Sequence, residues 1–198
     1  KIEPSYLPFG SDVGWTFLTT GLTRQKVSIN SNGNTVAIGR PSNDGNGMDS
    51  GHARIFDWNG SDWVQRGLDI YGRNIGVDKY GRNSRDTFGR GLAISNDGET
   101  VAIGAPGYID DGTYKDVIGH VRIFDWDGSA WVQRGLGIKG QETSGNESGR
   151  SLSISKDTNS VAISNVGGNG SPISQHVRVY DWNGNAWIQR GSDINEKN

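Results

Sequence analysis

At 198 residues the chain has room for one large all-β domain or two small ones, and 31 glycines against 5 prolines load it with turn residues at the expense of helix. A formal charge of -2 and a pI near 5.9 give no overall pull toward nucleic acid or an anionic membrane surface. With no cysteine there is neither a disulfide framework nor a thiolate metal site, and no apolar run reaches the roughly 18 residues of a membrane span, so no membrane insertion is expected. Apolar residues make up only 32% of the chain, so its 7 tryptophans must supply much of the buried area.

The chain begins at Lys1, and Met48 is its only methionine, as expected of a mature form after removal of a targeting segment or of a piece of something longer. Residues 1–22 match no later stretch, and around Trp15 they are expected to add one extra strand. From there the sequence repeats three times: 23–70, 88–138 and 148–198, separated by an insertion at 71–87 and a shorter loop at 139–147. Each repeat opens with a strand-turn-strand block, "VSINSNGNTVAIG", "LAISNDGETVAIG" or "LSISKDTNSVAIS". Each then continues with a second block, "GHARIFDWNGSDWVQRGLDI", "GHVRIFDWDGSAWVQRGLGI" or "QHVRVYDWNGNAWIQRGSDI".

Short alternating strands around Asn96-Asp97-Gly98 read as one hairpin, and the stretch around Asp127-Gly128 as a second. A four-residue loop sets Trp126 opposite Trp131, and likewise Trp58 opposite Trp63 and Trp182 opposite Trp187, which makes the tryptophans structural staples. Four antiparallel strands cannot bury both faces alone, so the repeats must stack. The expected fold is all-β, with about three propeller-type blades of four strands each plus the N-terminal strand; a three-fold β-trefoil is the alternative. Closed propellers generally need at least four blades, so the edges are expected to be satisfied by another copy, a protein partner or further blades.

The middle repeat carries Phe88-Gly89, then Gly104-Ala105-Pro106, then Gly119 before "HVRIF". It resembles the FG-GAP repeat of integrin α-chain propellers, and the chain is similar to tandem "SGHVRVYDWNGSAWVQRG" repeats of predicted secreted microbial and algal proteins. The motif is complete only there: the other repeats have Thr23-Arg24 with Gly39-Arg40-Pro41, and Ser148-Gly149 with Ser164-Asn165-Val166. The resemblance implies propeller blades and an adhesion-type secreted glycoprotein. In calcium-binding members the loop between the first two strands carries alternating carboxylates and amides, whereas "SNGN", "SNDG" and "SKDT" stand here, and Asp97 or Asp157 alone cannot cage calcium.

Other constellations lie in the loops. Asp44, Asn46 and Asp49, with Asp110 and Asp111 in the next repeat, form an acidic group that reads either as a calcium or sugar site or as a solvated turn-rich loop. The connection 71–90 carries Tyr71, Arg73, Lys79, Tyr80, Arg82, Arg85 and Arg90, and reads as a contact surface for an acidic partner. His52, His120 and His176 open equivalent strands, so blades hold them apart and a packing role is expected rather than a zinc site. Arg66, Arg134 and Arg190 end equivalent strands, where a solvated strand end or an inter-blade pair with Asp57, Asp125 or Asp181 is expected. Asn59, Asn146 and Asn169 head Asn-x-Ser glycosylation sequons.

No nucleophile elbow, phosphate loop or His-Glu metal helix is present. The expected function is non-enzymatic: a secreted or organelle-lumenal protein-binding or assembly module that presents variable loops and has no cofactor. The alternatives are a lectin-like carbohydrate binder and a propeller glycoside hydrolase, the latter requiring two carboxylates across one cleft.

Overall fold

The computed structural model describes residues 25–73, 85–107, 118–140, 146–167 and 176–195. Every regular element among them is a β-strand, and no helix is long and apolar enough to cross a membrane. The strand expected around Trp15 lies outside the described residues.

The first sheet contains β1 (Lys26–Ile29), β2 (Thr35–Arg40), β3 (His52–Trp58), β4 (Trp63–Gln65) and β5 (Ile70–Tyr71). The second contains β6 (Gly91–Ile94), β7 (Thr100–Ala105), β8 (His120–Trp126), β9 (Trp131–Gln133) and β10 (Ile138–Lys139). The third contains β11 (Asn146–Ile154), β12 (Ser160–Gly167), β13 (His176–Trp182), β14 (Trp187–Gln189) and β15 (Ile194–Asn195). Strands run antiparallel in the order β1-β2-β3-β4, with β5 on β3 beside β4, and the same order recurs in the other two sheets. Each repeat therefore closes its own sheet, the organisation of a blade; the three sheets do not close into a ring.

The turns follow from side-chain chemistry. In the second repeat the Asp97 carboxylate accepts hydrogen bonds from Ser95 Oγ and the Glu99 amide, and Ser95 Oγ accepts from the Thr100 amide. Asp157 and Ser155 do the same in the third repeat, and in the first Asn32 takes the place of Asp97 and Asn30 that of Ser95. Burial alone would raise the Asp97 carboxyl, but its hydrogen bonds together outweigh that and hold it below the usual range; at the exposed Asp157 the Ser155 and Asn159 hydrogen bonds lead, with the same result. The acidic residues of these turns are thus occupied by their own backbone.

The residue after this cap has positive φ: Gly33 at 78°, Gly98 at 82° and Thr158 at 60°. A β-branched residue there is strained, whereas glycine is not.

In the second hairpin the expected pairing is present, with Trp58 opposite Trp63, Trp126 opposite Trp131 and Trp182 opposite Trp187. Their rings lie 5.6, 5.4 and 5.4 Å apart, in tilted contact worth ~0.5–1 kcal/mol per pair beyond the area buried. Where four strands per repeat are expected, each sheet has a fifth, so that its outer edge is made of two short pieces. After Arg66 the chain turns at Gly67 (φ 71°), throws Leu68 out to solvent and returns as β5; Gly135 (φ 66°) and Gly191 (φ 67°) repeat the break.

The core lies between the blades. Ala37, Ile55, Phe88, Leu92, Val101 and Ile103 fill the junction of blades 1 and 2, and Val121, Ile123, Val161 and Ile163 that of blades 2 and 3. Glycine brings the inner strands together: a Cβ on Gly39 would stand 2.0 Å from the Gly89 carbonyl oxygen, and one on Gly104 2.0 Å from that of Gly149. Gly89 and Gly149 themselves have φ of 93° and 94°.

Two stability outcomes follow. Replacing Thr158 with Gly relieves the positive-φ strain, less the extra freedom of an unfolded glycine, and should raise stability by about 0.5–1 kcal/mol in urea unfolding. Gly104→Ala should instead lower it by several kcal/mol, because backbone rather than a yielding side chain opposes the new methyl; a loss below about 1 kcal/mol would contradict this junction.

Candidate functional site

The loop between β2 and β3 and the connection after β5 meet at the junction of blades 1 and 2. Backbone bonds weld them: Thr87 N donates to Asp49 O at 2.9 Å, Phe88 N to Ser50 O at 3.1 Å, and Gly72 N to Gly51 O at 2.9 Å. Asn46 Nδ2 donates to Gly72 O at 2.8 Å, and the Arg85 guanidinium pairs with Asp49 at 3.0 Å. The acidic loop and the basic connection, separate in the sequence reading, therefore form one surface.

Within that surface the acidic residues are already engaged. Asp44 Oδ1 accepts the Asp49 amide at 2.7 Å, so it serves as a turn cap. Among the described residues no group of three or more His, Asp or Glu converges as a metal site requires. Asp110, Asp111, Lys79, Tyr80 and Arg82 lie outside the described residues. Tyr71 packs edge-on against His52 and lies over Gly45, with its hydroxyl donating to Asp69 at 3.3 Å. Tyr71, Met48, Arg73 and Arg85 are exposed here.

Beneath them lies a cluster that the sequence reading did not single out. Asp86 is fully buried; its Oδ2 accepts the Arg73 amide at 2.7 Å, and its Oδ1 stands 3.7 Å from His120 Nδ1 with no hydrogen-bond partner. Burial pushes the Asp86 carboxyl up to about 6, against the pull of the Arg73 amide and of the Arg122 and Arg73 charges. Arg122 lies 4.1 Å over the Phe88 ring and donates to Tyr71 O at 2.7 Å, while its Nε is buried without a partner. Burial brings its guanidinium down to about 10.

The cause lies in the repeat. In blade 1, Arg54 holds Asp69 through two bonds of 2.8 Å, and in blade 3, Arg178 holds Asp193 likewise, drawing that carboxylate down to about 2. In blade 2 the equivalent residue is Gly137, so Arg122 has no such carboxylate and turns across the junction. The signal was legible: "QRGLGI" stands against "QRGLDI" and "QRGSDI".

The remaining expected residues fall into structural places. His52, His120 and His176 are buried at the start of β3, β8 and β13, and burial holds His52 neutral, at about 4. The arginines at the outer-strand breaks pair inside their own blade, Arg66 with Asp57, Arg134 with Asp125 and Arg190 with Asp181, rather than between blades, because β3 and β4 are cross-strand neighbours. Their reach to the next blade is to backbone oxygens: Arg66 to Gly98 O at 3.1 Å and Arg134 to Thr158 O at 2.7 Å; Arg66 also meets the Glu99 carboxylate. Asn59 caps its turn through Oδ1 in an exposed hairpin, Asn146 begins β11, and Asn169 lies outside the described residues.

No protein-family model matches the chain, and no curated protein matches it.

The buried carboxyl sets a pH dependence. Because the folded Asp86 titrates at about 6 and an ordinary Asp at 3.8, the fold favours the protonated form; that contribution is complete below about pH 4 and is lost as pH rises through 6. Asp86→Asn, which stays neutral, should therefore stabilise the protein by ~2–3 kcal/mol above pH 6.5 and flatten the decline between pH 4 and 6. Denaturant titrations across this range check it, and identical profiles for the two proteins would contradict it.

Proposed function

We propose that the chain is a non-enzymatic protein-binding module of FG-GAP-like blades, exported or lumenal, which takes an acidic partner on the surface where the 41–51 loop meets residues 71–73 and 85–87. The observation that supports this most is the convergence of Tyr71, Met48 and Arg85, exposed side chains of types that concentrate interface energy, on a welded two-loop platform between blades. Arg73 and the sequence-adjacent Lys79 and Arg82 make the 71–87 insertion basic in a chain of net charge -2. Preorganised backbone lowers the cost of ordering such a surface on binding.

The carbohydrate reading uses the same Tyr71 ring with Asp44 and Asn46 as polar contacts. Those groups already serve Asp49 N and Gly72 O, which favours the protein reading. The non-enzymatic reading draws support from the carboxylates around the platform: Asp44 caps a turn, Asp49 pairs with Arg85 and Asp69 with Arg54.

A fluorescent Glu/Asp-rich peptide titrated into the full chain tests the proposal. The double substitution Arg82→Glu/Arg85→Glu should weaken its capture at least about tenfold and leave the thermal midpoint within about 2 °C, since an exposed pair such as Arg85–Asp49 contributes little to stability. Unchanged capture rejects the surface, and a glycan array giving binding where the peptide gives none selects the carbohydrate reading.

A further inference from the structure

The two junctions between blades are built alike. At the first, Trp131 Nε1 donates to Arg66 O at 3.0 Å, the Arg66 guanidinium lies 5.8 Å from the Trp126 ring, and the Trp126 ring fills the space beside Gly67, where a Cβ would meet it at 2.7 Å. At the second, Trp187 Nε1 donates to Arg134 O at 3.1 Å, Arg134 lies 5.9 Å from the Trp187 ring, and Trp182 sits beside Gly135 at 2.6 Å. One side of each junction is thus a carbonyl, a guanidinium and a bare glycine; the other is a tryptophan pair.

Both halves of this joint recur, uncovered by any described residue, on the outer faces of blades 1 and 3. Blade 3 ends in Arg190 and Gly191; nothing lies within 4 Å of a Cβ on Gly191, and the Arg190 side chain is 61% exposed where those of Arg66 and Arg134 are 16% and 15%. Blade 1 begins with Trp58 and Trp63, both exposed, and among the described residues Trp63 Nε1 has no acceptor. Beside them Val27 is 63% exposed and Ile29 58%, where their counterparts Leu92 and Ile94 are 3% and 9%. Each group left bare at one end has its complement at the other.

We propose that the end face of blade 3 docks on the opening face of blade 1 of a second copy, head to tail, so that the three described blades of each of two copies close a six-bladed ring. A heterologous joint of this kind forms a ring when its rotation closes, and six blades lie within the range that propellers adopt. The second copy is the occupant argued for because the joint already exists twice within the chain, with the same residue types at each place. Ser164 stands where Gly39 and Gly104 receive the next blade's carbonyl, so the joint between copies is wider at its inner end and rests on the Trp/Arg/Gly rim. The inference goes with the binding-module reading but uses the end faces instead of the loop platform, so one can fail without the other.

Sedimentation of the full chain at about 1–100 µM tests it. The wild type should sediment with the mass of two chains. Ile29→Lys, which spoils the opening face, and Arg190→Glu, which spoils the end face, should each give monomers with an unchanged circular dichroism spectrum, both positions being exposed. Mixed in equal amounts, the two variants retain one intact joint and should recover a two-chain species. Trp63→Phe, which removes the Nε1 donor and trims the ring, should weaken association at least about 5- to 10-fold. A wild-type monomer throughout, dimers that persist in either variant alone, or a mixture that stays monomeric would each overturn the proposal; peptide capture by such a monomer would leave the loop platform standing.

Discussion

Close approach of backbone between neighbouring blades is the constraint on which the rest of the structure depends. The carbonyls of Gly89 and Gly149 press on Gly39 and Gly104, and only the absence of a Cβ lets the inner strands meet there. That contact sets the distance at which Val101 and Ile103 reach Ala37 and Ile55, and at which Val161 and Ile163 reach Val121. It also explains the repeated glycines of the middle repeat. Phe88 enters the core of the junction while Gly89 turns the chain away at positive φ, so the pair anchors one blade on another.

At the outer rim the joint depends on polarity. Tryptophan rings cover the broken outer strand of the preceding blade, and each of the two junctions has an indole N–H on an arginine carbonyl. The arginines are held in place by aspartates of their own blade, which frees them to reach the backbone oxygens of the next hairpin. Inner glycines fix spacing, and outer side chains fix direction. Such a joint is directional by construction, since its two halves differ chemically.

The loop platform owes its character to a departure from that regularity. Two blades spend an arginine on a carboxylate, but Gly137 deprives Arg122 of one, and Arg122 instead lies across the junction on Phe88 and the Tyr71 carbonyl. Buried Asp86 stands beside it as the nearby negative charge. One missing carboxylate in the repeat thus couples the packing of two blades to the loops above them.

Much of this fold was legible in the residues. Alternating apolar positions, Asx and Gly turns and the tryptophan spacing determine the hairpins, because those signals act within a few residues of one another. They also place the histidines at strand starts and the turn carboxylates on backbone amides. The break in the outer strand was less legible, since it needs the glycine of "QRG" at positive φ and the next blade's tryptophan beside it. The platform was not legible as one surface: Asp49 and Arg85 are far apart in sequence and meet only because blade 2 docks on blade 1. The nearly identical strands "TVAIGR" and "TVAIGA" show the same division: β7 is buried on both faces and β2 on one, because the second blade has neighbours on both sides. By itself the sequence determined the blade, through local periodicity and turn chemistry; tertiary structure alone decided which copies of one motif became core, joint or open face, because burial depends on what packs against each blade.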